Sequence, residues 1–161
     1  MNLAKYSIRA LLGMATRAEI DANRTYLKLA DRVGNPLLKE KFHLLAFEEK
    51  KHRKVLQKLF FVLFEGDRMA VPESVDPALL PAVVIKPSSS FAQIIYQAMV
   101  SEQSARDFYL GLAGKVKDEK KKFLEYLSKV EQSHYQMLKS EHAMALEFED
   151  YAERDIDKVV T

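Results

Sequence analysis

Six ionisable side chains fall at matched places on helical stripes that are otherwise apolar: Glu19, Glu49 and His52 in the first half of the chain, Glu102, Glu131 and His134 in the second. Glu19 stands in line with Ala15 and Ala22, and Glu102 with Ala98 and Ala105. Glu49 and His52 continue the row of Phe42 and Leu45, and Glu131 and His134 continue that of Leu124 and Leu127. Three residues apart on a helix is one face, about 60° on the wheel, so both members of each Glu-x-x-His pair point into the core. Buried, unpaired carboxylates are costly, and something must neutralise them. Two divalent cations balance four carboxylates, and a mixed set of carboxylate and imidazole suits iron or manganese.

The elements that must position these groups are four long stretches of helical periodicity. The first runs from about Ser7 to Val33 on Ile8, Leu11, Leu12, Ala15, Ala22, Tyr26 and Leu29, and Gly34-Asn35-Pro36 is expected to stop it with a helix-ending glycine followed by proline. The second runs from about Leu37 to Glu65. The third starts at Phe91, after Ser88-Ser89-Ser90 that can cap it, and reaches Val116. The fourth runs from about Asp118 to Glu153. Four of the five prolines lie between Pro72 and Pro87, so strong helix breakers are concentrated in one place. The predicted architecture is all-α: one domain over 1–161, a four-helix bundle with a first hairpin at about 7–65 and a second at about 90–153. Residues 66–89 are far more than the roughly 2–8 a helix–helix turn needs, which points to a crossover running the length of the bundle. Leu79, Leu80, Val83, Val84 and Ile85 should hold it against the helices. The run Leu59 to Phe64, apolar all round, is either the surface it covers or a dimer interface.

The two halves repeat each other. Residues 19–33 and 102–116 are identical at seven of fifteen positions at a shift of 83, and Glu49-Lys-Lys-His52 matches Glu131-Gln-Ser-His134 at a shift of 82. The midpoint of Glu19 and Glu49 falls at Gly34, and that of Glu102 and Glu131 between Val116 and Lys117. Folding each hairpin back on itself therefore brings its carboxylates side by side, and pairing the hairpins gathers all six residues around one point. Glu40 and His43 share the spacing, but Glu40 lies about 160° from Phe42 on the wheel, so this pair is read as surface. Glu48 and His43 are expected to be dispensable for metal.

Composition narrows the function. A net charge of +2 gives no reason to expect nucleic acid or an anionic membrane as partner. With no cysteine there is no thiol nucleophile, disulfide, Fe–S cluster or thiolate zinc site. No apolar stretch reaches the roughly 20 residues of a membrane span, and the apolar run after Arg9 is shorter than a signal-peptide core. A cytoplasmic protein is expected.

The repeated E-x2-A-x3-Y-L-x-L-A and the paired E-x2-H resemble the rubrerythrin-like branch of the ferritin-like di-iron carboxylate proteins, over about 7–33, 36–65 and 91–144. The resemblance implies a ferritin-like bundle holding two iron ions, with manganese as the alternative. By it Glu49 and Glu131 would bridge the metals, Glu19 and Glu102 would be terminal carboxylates, and His52 and His134 would cap one metal each. Tyr26 and Tyr109, seven residues after Glu19 and Glu102, match the family's tyrosines, whose hydroxyls hold ligand carboxylates in place. Rubrerythrins carry a further carboxylate near the third-helix ligand, where this chain has Met99 and Ala105 about Glu102, and a rubredoxin-like domain with four cysteines, which is missing here.

Three readings follow. One is an oxidoreductase reducing peroxide or O2 with electrons from an external donor such as a rubredoxin-type protein, acting as a homodimer. The second is an iron-handling ferroxidase or a dimanganese catalase, and the third a metal-free structural bundle. Of the remaining charges, the acids between Glu141 and Asp157 read as a solvated helix face, and Lys115, Lys117 and Lys120 to Lys122 as solvated turn charges that could also dock an acidic redox partner. His142 is left open between the surroundings of the site and the surface.

Overall fold

The computed structural model describes residues 2–148. Four helices follow one another: α1 (Ile8–Arg32), α2 (Pro36–Leu63), α3 (Phe91–Ala113) and α4 (Asp118–Glu147). Three begin on a side-chain cap that satisfies first-turn N–H groups. Ser7 accepts from Ala10, Asn35 accepts from Leu37 and Leu38 with Pro36 opening α2, and Ser90 forms a reciprocal capping box with Gln93. α4 has no side-chain cap and instead carries Asp118 and Glu119 in its first turn, which suits the positive end of the helix dipole. Asp118 sits there at φ 56°, a left-handed conformation that the tight turn from α3 demands.

Three features differ from the sequence reading, the first being that α3 ends at Ala113 with Gly114 as its cap and does not reach Val116. Gly34 does not act as a left-handed cap. α1 ends at Arg32, Val33 is already extended, and the chain runs straight into the Asn35 cap of α2. α4 ends at Glu147 with Phe148 extended, short of the expected Glu153; residues 149–153 lie outside the described residues.

α1 lies along α2 and α3 along α4, as two hairpins, with α1 facing α3 and α2 facing α4. The hydrogen bonds Tyr26 to Glu102 and Tyr109 to Glu19 show that α1 and α3 run antiparallel, since position advances on one helix as it recedes on the other. The α2–α3 connection crosses the bundle to allow this. Its Leu79 and Leu80 are buried with Leu11, Leu12, Leu59 and Phe60 at one end, while Val83 and Ile85 pack against the cluster of Tyr26, Phe42 and Ile95 at the other. Gly13 lets the crossover approach α1, because a Cβ there would stand 2.2 Å from the Ala70 carbonyl oxygen. The greasy end of α2 is therefore half covered: Leu59 and Phe60 are buried, whereas Phe61 and Val62 remain 65% and 60% exposed.

The apolar core is split. One cluster gathers around Leu11, Leu56, Phe108 and Leu124, the other around Tyr26, Phe42, Ile95 and Leu138. Between them lies a polar layer. Among the described residues, no helix is long and apolar enough to cross a membrane.

Candidate metal centre

The polar layer consists of the six residues that the sequence sets on matched stripes. α1 supplies Glu19, α2 supplies Glu49 and His52, α3 supplies Glu102, and α4 supplies Glu131 and His134; all are buried, none more than 5% exposed. His52 Nδ1 lies 3.0 Å from a Glu49 oxygen, 3.0 Å from a Glu131 oxygen and 3.6 Å from Glu19. His134 mirrors it, with Nδ1 at 3.1 Å from both Glu49 and Glu131 and 3.6 Å from Glu102. The two imidazoles lie nearly parallel, 5.6 Å apart at 18°. Two ligand sets result, Glu19, Glu49, His52 and Glu131, and Glu49, Glu102, Glu131 and His134, each with its donor atoms within 4.8 Å of one another. Glu49 and Glu131 belong to both.

The electrostatics show what this layer lacks. Burial and the charge of Glu49 push Glu19 up to about 8, and burial with the same neighbour raises Glu102 well above the carboxylate range. Glu49 and Glu131 are buried too, yet hydrogen bonds from His134 and His52 outweigh desolvation and hold them low. Burial works against charge on both histidines, but the bonds to their ring of carboxylates win and push them far up. Protons stand in for cations: two on imidazoles, others on the outer glutamates. Even so, these close approaches are poorly directed: Glu49 Oε1, Glu131 Oε1 and His52 Nδ1 are shut away from solvent with an opposite charge at 3.0–3.1 Å but without a well-aligned hydrogen bond. Orphaned donor atoms at the centre of an oxygen and nitrogen set fit a pair of divalent metals, which would release those protons.

The surrounding contacts fix the set. Tyr26 donates to Glu102 Oε1 and Tyr109 to Glu19 Oε1, each from the facing hairpin, and burial pushes both phenols well up, so they remain donors. A carboxylate with one oxygen so held is left with the other turned to the centre. One contact is absent from the sequence reading. His134 Nε2 lies 2.6 Å from Glu48, whose side chain is one-third exposed. Donation to Glu48 keeps a proton on Nε2, so Nδ1, which faces the carboxylates of Glu49, Glu102 and Glu131, is the nitrogen that would give up its proton to become a ligand, and Glu48 is not the bystander that its place beside the stripe suggests.

Other expectations resolve simply. Glu40 and His43 are exposed on α2. Glu141, read as part of a solvated acidic face, is buried and paired with Lys41; Glu147 is exposed, and the acids beyond it lie outside the described residues. His142 is half-buried beside the Tyr96 ring.

Known proteins share the fold and name the family. The family model described as Rubrerythrin matches residues 10–142. A hypothetical protein from Pyrococcus furiosus superposes with a TM-score of 0.81 at 37% identity, over 91% of this chain and 94% of that one. CopM in its Cu(II)-bound form does so at 0.70 and 12% identity, covering 86% of this chain and 97% of that one. KatB, a manganese catalase from Anabaena PCC7120, does so at 0.64 and 21% identity, covering 89% and 76%. These last two likenesses are of fold. A search of curated proteins gives no match. The domain match over most of the chain, the close relative and the shared ferritin-like bundle agree, and the chain belongs to the rubrerythrin family.

Proposed function

We propose that the protein is a di-iron carboxylate oxidoreductase of rubrerythrin type, reducing peroxide or O2 with electrons from an external donor. The observation that carries this reading is the sharing of Glu49 and Glu131 between two buried sets that are each completed by one more glutamate and one histidine. One cation would use only one set, whereas two adjacent cations need the shared pair as bridges. In this proposal Glu49 and Glu131 bridge, Glu19 and His52 complete one position, and Glu102 and His134 the other. The whole chain is taken as one ferritin-like domain.

Bound iron would supply Lewis acidity and one electron per ion toward O–O cleavage. The chain's own residues do the rest. The two tyrosines hold the outer carboxylates across the hairpin interface. Glu48 orients His134, and because it reaches solvent it can also take up and deliver protons at the His134 Nε2 edge of the site. The apolar clusters above and below keep water out and leave the charges unscreened. In this proposal the electrons come from an external donor, as these 161 residues hold no cysteine for a thiolate-bound redox centre. A rubredoxin-type protein fits that role, in a cytoplasmic setting, with the exposed Phe61 and Val62 available to a homodimer contact.

A dimanganese catalase is the second reading. It is favoured by the near-symmetric hard ligand set and by the same lack of an internal redox centre, because peroxide then serves as both oxidant and reductant. Peroxide consumption by the metal-loaded protein, with and without a chemical reductant, separates the two. Turnover only with reductant supports the peroxidase; O2 release without it supports the catalase. A protein holding two metals that consumes no peroxide and no O2 in either condition would overturn the oxidoreductase reading.

A further inference from the structure

The route from solvent to the metal centre differs between the hairpins. A cavity of about 450 Å³ opens between α1 and α2, lined by Glu19 together with Asn23, Lys50 and Arg53, and walled by apolar groups such as Ile20 and Phe47. Arg53 is half-buried, and its Nε is shut off from solvent without a hydrogen-bond acceptor. Neither Arg53 nor Lys50 has an ion-pair partner among the described residues. A guanidinium N–H held out of water with no acceptor is costly, and an anion in the cavity would provide one.

Hairpin 2 is bridged at the matching place. At the shifts of the internal repeat, Arg106 takes the position of Asn23, Gln132 that of Lys50 and Tyr135 that of Arg53. Arg106 Nη1 donates to Gln132 at 2.6 Å across the α3–α4 seam, and the same guanidinium pairs with Asp107. Glu125 stands where hairpin 1 has His43. One face is therefore open and basic; the other is tied together.

We propose that the α1–α2 cavity is an anion-binding vestibule beside the metal position of Glu19 and His52, in which Arg53 and Lys50 hold a small oxyanion. This rests on the dinuclear reading in one respect: two divalent cations neutralise the four carboxylates, and the charge left facing the cavity is that of Lys50 and Arg53. A mouth of that sign attracts anions and repels Fe2+, so this route suits an anionic ligand of the centre rather than incoming iron. It also reaches one metal position and not the other.

Inorganic phosphate, titrated calorimetrically into the full chain with metal content measured on the same sample, is the probe. Wild type should bind one phosphate per chain. Arg53→Gln should weaken it about tenfold and Lys50→Gln about threefold, with Arg106→Gln on hairpin 2 unchanged and metal content equal in all four. Lys50 is exposed on a helix surface, so its variant carries the test even if Arg53→Gln folds poorly. Phosphate bound equally well by wild type and the Lys50 variant, or by both variants, would overturn the vestibule, as would no binding to protein that holds two metals. Binding lost in both variants but seen in protein that takes up no metal would uphold the vestibule and remove the dinuclear reading.

Discussion

Hairpin 1 and hairpin 2 agree in the interior and diverge one layer out. Each contributes two glutamates and a histidine, and each histidine sets Nδ1 between the same two carboxylates at 3.0–3.1 Å. Beyond that layer His134 has Glu48 on its second nitrogen, while the repeat places Val130, with no polar group, at the position equivalent to Glu48. His52 Nε2 has no such carboxylate among the described residues. A basic cavity approaches Glu19, and an Arg106–Gln132 bridge spans the other seam. On the proposed dinuclear reading the inner residues match because two equivalent cations would need the same donors. On the same reading the outer ones would give the two positions different ligand basicity and different access.

The largest break in this comparison should come at the shared carboxylates. Glu49→Ala takes a ligand from both sets and should abolish metal binding, whereas Glu19→Ala touches one set and should leave about one metal per chain. Metal analysis after anaerobic loading reads the difference. Equal loss in the two variants would mean that Glu49 is not shared.

Metal-free stability should depend steeply on pH. Glu19 titrates near 8 in the folded chain against an ordinary 4.5, because of burial and the Glu49 charge, and Glu102 moves the same way. The folded form then holds protons that the unfolded chain has released. That contribution is complete below about pH 4.5 and is lost as pH rises toward 8. Metal-free protein should therefore melt lower at pH 8 than at about pH 5.5, while metal-loaded protein should gain over the same range, since protons and metal compete for the same oxygens. The double variant Glu19→Gln, Glu102→Gln keeps the shape without that titration. It should bind little metal yet melt higher than the metal-free wild type at pH 8. A flat profile for metal-free wild type would contradict the crowded-carboxylate layer.

The outer asymmetry is tested by Glu48→Ala against Val130→Ala. The first should cost roughly 10–100-fold in metal affinity at the His134 position, the second nothing. Competitive metal titration would show it, and equal affinities would remove the assigned role of Glu48. The smallest effects should come from Tyr26→Phe and Tyr109→Phe. Each leaves a buried carboxylate without its donor, at about 1–3 kcal/mol of stability, and the two losses should match if the interior is symmetric. Thermal melting of the two variants side by side checks that.

The inner layer was legible in the sequence because it breaks a simple pattern twice. Carboxylates and imidazoles on apolar stripes are expensive, and their return at a shift of 82 or 83 residues ties them to one purpose. The bundle and its crossover were legible for a similar reason, from apolar periodicity and a cluster of prolines. Glu48 was not. It sits one residue from Glu49, off the stripe, and its meaning depends on a histidine 86 residues away on another helix. Glu141 escaped likewise, since the pattern that marks it as surface knows nothing of Lys41 across the α2–α4 interface. Gly34 misled in the other direction. A glycine before Asn-Pro carries a helix-stop signal, but Asn35 already caps α2 and the short link needs no left-handed residue.

The most direct measurement is anaerobic iron loading of the wild-type chain, followed by removal of free metal and a count of iron per chain, with X-ray absorption to read the metal–metal distance. Two irons per chain, about 3.5–4 Å apart, are expected from two ligand sets that share a pair of glutamates. At most one weakly held ion, or two with no metal neighbour at that distance, would contradict the dinuclear centre.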